Sequence, residues 1–192
     1  MALTQKQPAK VFWFSGLSGS GKTTWARYLQ RYLAAQSLPV CLLDGDILRQ
    51  GVNKDLGFSL ADREENIRRA CEMAHFLLKQ DITVVAAFMT PTQACRTHMQ
   101  TIIPAEALQE IYCQCSINMC EVRDPKGFYH RARLDNLRHV VGWDLPFVPP
   151  KNPALVLDTE HFSMPHNQAL LRQLIARTYA RESAFSRLVS WP

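Results

Sequence analysis

The chain is expected to be an α/β protein: three layers, a five-stranded parallel sheet with helices on both faces, and a lid segment. Three observations predict this. Short apolar runs alternate with amphipathic stretches along most of the length, the strand–helix rhythm that produces a parallel sheet. The first apolar run ends in GLSGSGKTT (16–24), a glycine-rich loop that opens a helix. The length, 192 residues, suits one hydrophobic core, so 1–192 is expected to be a single domain.

Each element has a local reason. VFWFS (11–15) is short, aromatic and β-branched and stops at glycine, as a buried strand does. From about Lys22 to Gln36, Trp25, Leu29, Tyr32 and Leu33 fall on one helical stripe. LPVCLLDGD (38–46) supplies a second strand ending near Leu43. In GFSLADREENIRRACEMAHFLLKQ (57–80), Ser59 followed three residues later by Asp62 is an N-cap signature. The long helix behind it buries Ile67, Ala70, Cys71, Ala74 and Leu77/Leu78. ITVVAAF (82–88) is a third strand, QACRTHMQTII (93–103) a helix, and EIYCQCSI (110–117) a fourth strand in which Cys113 and Cys115 would share a face. ALVLDT (154–159) is a fifth strand, and about 165–182 is helical. Residues 124–153, rich in Arg, Pro and aromatics, break the rhythm; a long irregular stretch in a compact domain is typically a functional lid. Trp191 is expected to pack on the body or on a partner subunit.

Composition narrows the function. Hydrophobic residues at 47% and charged residues at 20% are ordinary for a globular protein. There is no apolar run of membrane-spanning length and no apolar leader in MALTQKQPAK, so a cytoplasmic protein without a membrane partner is expected. The net charge of +5 favours an anionic ligand. Its basic residues are spread, densest at 123–138 without a long run, so nucleic acid is not the expected partner. Six cysteines without a C-x-x-C pair or a histidine pair read as buried or idle thiols rather than a metal site or disulfides.

GLSGSGKT satisfies G-x-x-x-x-G-K-[ST], with a strand before it and a helix after. Phosphate oxygens are met by backbone N–H groups, which can close round them only where side chains are small. The helix N-terminus adds a positive dipole end. Gly16, Ser18, Gly19, Ser20, Gly21, Lys22, Thr23 and Thr24 are therefore the candidate ATP cradle. Lys22 would reach the β and γ phosphates, and the Thr23 hydroxyl would face Mg²⁺. A GTPase switch would carry its base-reading N-K-x-D after a late strand, whereas NKDLG (53–57) follows the second. An ATPase motor would end its third strand in an acidic pair, and here that strand ends AAFMTP. A small-molecule kinase fits better. Asp44 and Asp46 end the second strand, at the edge where such sheets bind ligands. There they can hold magnesium-bound water or take a proton from an attacking hydroxyl. Arg49 lies three residues on; Arg63 and Asn66 sit one turn apart on the next helix, an arrangement suited to a substrate that carries its own phosphate.

With GLSGSGKTT, LLDGDILRQGVNKDLGFSLADREENIRR, RDPKGFYHRAR and NPALVLDT recurring in order over roughly 10–160, the chain resembles the adenylyl-sulfate kinase family. The resemblance implies a P-loop kinase fold, often homodimeric, that uses MgATP to phosphorylate the ribose 3′-hydroxyl of adenosine 5′-phosphosulfate. By position, Arg49, Arg63 and Asn66 would hold the acceptor nucleotide and Phe58 would stack on its base. Asp46 would act on the 3′-hydroxyl, Asp44 would support the metal, and Lys126 and Arg131 of the lid would touch phosphate or adenine. Phe88, Arg138 and Val140 complete the expected acceptor set. Two positions depart from the family pattern. TPTQACR replaces S-P-x-R-x-x-R, so Gln93 stands for an arginine and only Arg96 is kept. RHVVGWD puts Val140 where a phenylalanine helps clamp the base, with Trp143 the residue expected to swing in and compensate. The alternative is that the base differs, the same chemistry serving another activated nucleotide such as cytidine diphosphoramidate. Rivals of other classes are a polynucleotide kinase, recognisable by steeply salt-dependent oligonucleotide binding, and a non-catalytic regulator, recognisable by the lack of any kinase rate.

Overall fold

The computed structural model describes residues 7–189; Trp191 lies outside the described residues. Strands β1 (Val11–Ser15), β2 (Val40–Asp44), β3 (Thr83–Ala87), β4 (Leu108–Gln114) and β5 (Leu155–Asp158) form one parallel sheet in the order β2-β3-β1-β4-β5. β1 and β3 are buried along their whole length, which is why both read as continuous apolar runs rather than alternating ones.

Alternate residues of β1 feed opposite layers. Val11 and Trp13 pack under α3 (Leu60–Lys79) and α4 (Gln93–Ile102), with Ile67, Cys71, Ala74 and Met99. Phe12 and Phe14 pack under α1 (Lys22–Ala34) and α7 (Met164–Val189), with Leu29, Leu33, Leu157 and Leu171. The predicted cap of α3 forms: the Ser59 hydroxyl accepts from the Asp62 amide at 3.1 Å and donates to the Asp62 carboxylate at 2.6 Å. Among the described residues no helix is long and apolar enough to cross a membrane.

Two expectations change. β4 ends at Gln114, because Ser116 turns the chain into α5 (Ile117–Arg123) by accepting from the Met119 amide at 3.2 Å. Cys113 and Cys115 therefore do not share a face: Cys113 joins the α1–α7 layer and Cys115 a third, smaller cluster. The 124–153 segment is also less irregular than expected. It contains α6 (Phe128–Leu134), and Tyr129, Ala132, Val140 and Val141 root it in that third cluster beside Leu17 and Cys120. The short α2 (Gly45–Gln50) follows β2 directly.

Candidate active site

The loop from β1 to α1 lies at the carboxyl edge of the central strand. Gly16 has φ of +144°, and a β-carbon there would stand 2.6 Å from the Cys113 carbonyl oxygen; at Gly19, with φ of +76°, it would stand 2.8 Å from that of Cys120. Only glycine fits either place. Ser18, Gly19, Gly21, Lys22, Thr23 and Thr24 line a cavity of about 840 Å³, a volume typical of small-molecule sites. Gly16 and Ser20 are not in its wall; both are buried and form the inside of the turn. They shape the cradle without facing it. The Lys22 ammonium donates to the Leu17 carbonyl at 2.6 Å. Burial lowers its pKa, with Cys113 and Asp46 opposing the shift. A cation held this way has reason to meet an anion.

Asp44 is nearly buried and serves two neighbours. Its Oδ1 accepts from the Asp46 amide at 2.9 Å, capping α2, and its Oδ2 accepts from the Thr23 hydroxyl at 2.8 Å. The Thr23 proton is thus committed to Asp44, which leaves the lone pairs of the Thr23 oxygen for another partner. Asp46, two residues on, is exposed to the cavity and pairs with Lys126, which arrives from the 124–153 segment.

Phe58, Arg49, Arg63 and Asn66 line the same cavity. The Arg49 guanidinium lies 4.7 Å from the centre of the Phe58 ring and donates to the Leu56 and Gly57 carbonyls at 3.0 and 2.7 Å. Arg63 lies 5.5 Å from the same ring and donates to the carbonyls of Phe58 and His139, each at 3.0 Å. Burial, with the Arg49 charge nearby, brings the Arg63 pKa down to about 10, so an anion arriving here is strongly favoured. The Asn66 carbonyl oxygen accepts from the Asn53 amide at 2.9 Å. That bond directs the donor end of Asn66 elsewhere, a positioning role for Asn53 that no motif announced.

Phe88, Lys126 and Arg131 also reach the cavity, Phe88 with its ring stacked on Trp13 at 4.9 Å. Arg138 and Val140 do not. Arg138 is exposed and outside the wall. Val140 is buried in the third cluster, its amide bonded to Asp144 at 2.5 Å, because an aliphatic side chain gains more there than at a wet mouth. Trp143 is not placed to compensate: its indole N–H donates to Glu121 at 2.6 Å and its ring lies 5.6 Å from Tyr129. Arg96 also turns inward, to Glu110 at 3.1 Å, so neither Gln93 nor Arg96 places charge in the cavity wall. Arg123, at the start of the lid block, also lines the cavity, as do three residues that no motif marked, Thr159, Phe162 and Asn167. The last three follow the carboxyl end of β5, a place that the general rule for parallel sheets would have marked.

A central parallel sheet whose first strand opens into this loop, with a second group of cations across one cavity, defines a P-loop kinase. The model of the adenylylsulphate kinase family matches residues 8–158. The adenylyl-sulfate kinase of Oceanobacillus iheyensis is 41% identical over 170 residues, 88% of this chain and 85% of that one. The APS kinase of Mycobacterium tuberculosis, solved with AMPPNP and APS, superposes with a TM-score of 0.80 at 37% identity, covering 88% and 98% of the two chains. A hexameric APS kinase from Thiobacillus denitrificans gives 0.64 at 28% identity, covering 91% of this chain and 30% of that one. The chain belongs to the adenylylsulphate kinase family.

Proposed function

We propose that the chain transfers the γ-phosphoryl group of ATP to the ribose 3′-hydroxyl of adenosine 5′-phosphosulfate. The observation that carries this reading is the position of Asp46, in the wall of one cavity with Lys22 and the phosphate loop as well as with Arg49, Phe58, Arg63 and Asn66. The loop amides and Lys22 hold the donor's phosphates. Arg49 and Arg63 take the acceptor's anionic groups, Asn66 fixes its sugar and Phe58 covers its base. Asp46 accepts the hydroxyl proton as the oxygen attacks phosphorus. Lys126 neutralises Asp46 in the structure as it stands; when donor phosphates enter, it moves to them and leaves the carboxylate free. Most of the acceleration comes from placement and preorganised charge.

The Thr23 hydroxyl and Asp44 carboxylate, 2.8 Å apart, are a hard oxygen pair of the kind magnesium uses beside phosphate oxygens and water. They fit the ion, which when bound would neutralise charge on the transferring phosphate. Self-association is part of the proposal, the T. denitrificans relative being described as hexameric; light scattering on purified protein gives the number of subunits. The decisive experiment is a panel of activated nucleotides with MgATP, followed by phosphorus NMR. A 3′-phosphate on adenosine 5′-phosphosulfate supports the reading. Transfer to cytidine diphosphoramidate in its place would replace the acceptor while keeping the chemistry, and no transfer to any acceptor would sink it.

A further inference from the structure

Asn167 stands in the first turn of α7, in the wall of the cavity that Thr24, Phe162 and Met164 also line. It is 1% exposed. Its Nδ2 donates to the Asp158 carbonyl at 2.8 Å, which fixes which end of the amide is oxygen. Its Oδ1 is enclosed and accepts no hydrogen bond among the described residues. A buried acceptor without a donor is costly, and native proteins keep one chiefly where a ligand or another group supplies the donor.

The surroundings suggest which donor. Thr159, at the end of β5, donates through its hydroxyl to the Ser20 carbonyl at 3.0 Å, so the chain between β5 and α7 is tied to the phosphate loop. Phe162 and Met164 are each about half exposed beside it, and Phe162 is backed by His166 with ring centres 4.4 Å apart. A flat apolar body extending from phosphates in the loop would lie on Phe162 and Met164, with its edge toward Asn167. Arg123 stands in the same wall and is occupied with Thr159, donating to its carbonyl at 2.5 Å and its hydroxyl at 3.1 Å.

We infer that Asn167 is a specificity-determining residue for the phosphoryl donor: its Oδ1 accepts a hydrogen bond from the exocyclic 6-amino group of a purine lying on Phe162, and so selects adenine over 6-oxo purines. This rests on the reading that the loop holds the donor's phosphates. A 6-oxo purine presents a carbonyl to Oδ1, leaving two acceptors face to face and the buried oxygen still unpaired.

The test is calorimetric titration of the full-length protein, with magnesium, by ADP, IDP and N6,N6-dimethyl-ADP, which needs no acceptor nucleotide. Wild type should bind ADP roughly tenfold more tightly than either analogue. Asn167→Leu and Asn167→Ala should erase that preference by weakening ADP while leaving IDP within about twofold of wild type. Equal affinity of wild type for ADP and IDP overturns the assignment. So does an equal loss for both nucleotides in the variants, the signature of a purely structural Asn167. Should the variants fail to give a cooperative melt, the three wild-type affinities decide the question alone. If no diphosphate binds at all, the reading of the loop falls too. If ADP and IDP bind equally while phosphoryl transfer from ATP is observed, the functional reading stands and only the role of Asn167 is lost.

Discussion

Asp46 and Lys126 hold each other across the cavity mouth, so the two charges have to be tested together. Asp46→Asn removes the proposed proton acceptor and should lower turnover by about two decades or more, with ADP affinity little changed; single-turnover rates beside a binding titration check both halves. Phe58, more than half exposed and flanked by two guanidinium groups, offers a ring face to a base. Phe58→Ala should raise the acceptor's KM about tenfold, with a smaller change in kcat measured at saturating acceptor. Asp44, Asp46, Arg49, Arg63 and Asn66 could be read in advance because they follow a strand's carboxyl end or repeat along one helix face. Val140 could not, since the destination of an aliphatic side chain depends on which cluster has room for it. Trp143 found Glu121 and Tyr129 through contacts distant in sequence, and Asn167 belongs to no motif.

At the level of elements, the strands and long helices were legible because sheet burial and helical stripes impose periods that side chains display directly. Their ends were less so: Ser116 caps α5 and cuts β4 short, a local hydrogen bond competing with the apolar run through Cys115. The α3 cap was legible, and Ser59→Ala should cost about 1 kcal/mol, read as a lower urea midpoint with an unchanged slope. The root of the 124–153 segment is held differently, by the small cluster of Tyr129, Ala132, Val140 and Val141. A β-carbon on Gly142, at φ of +100°, would meet Ile117 at 2.8 Å. Gly142→Ala should therefore disturb that root, lowering the melting temperature and raising the KM for ATP together.

Across the whole molecule, one surface network contributes a large part of the acid sensitivity. Hydrogen bonds from Arg68 and then Arg69 take the Glu65 carboxyl from 4.5 down to about 2, and a hydrogen bond from Arg69 lowers Asp55 too. A carboxyl whose pKa is depressed on folding contributes stability that is fully present above the unfolded value and lost as pH falls through the folded one. Melting temperature should therefore decline between about pH 4.5 and pH 2, and Glu65→Gln should flatten that slope. Burial moves the thiols the other way, Cys113 and Cys120 each up to about 12. In the native protein the five buried cysteines should resist alkylation at pH 8 and react only in denaturant, with half-buried Cys41 the one to react first. The parallel sheet with helices on both faces was foreseeable from connectivity; the packing of Trp13 against Phe88 and Thr90 of the cavity wall was not. Its indole N–H donates to Thr90 at 2.9 Å, and its ring lies on Phe88, so one fully enclosed fluorophore touches two residues of the cavity wall. The cavity thus carries a built-in optical gauge: any occupant that shifts Phe88 or Thr90 should register in the colour and lifetime of the light Trp13 emits, with no label attached.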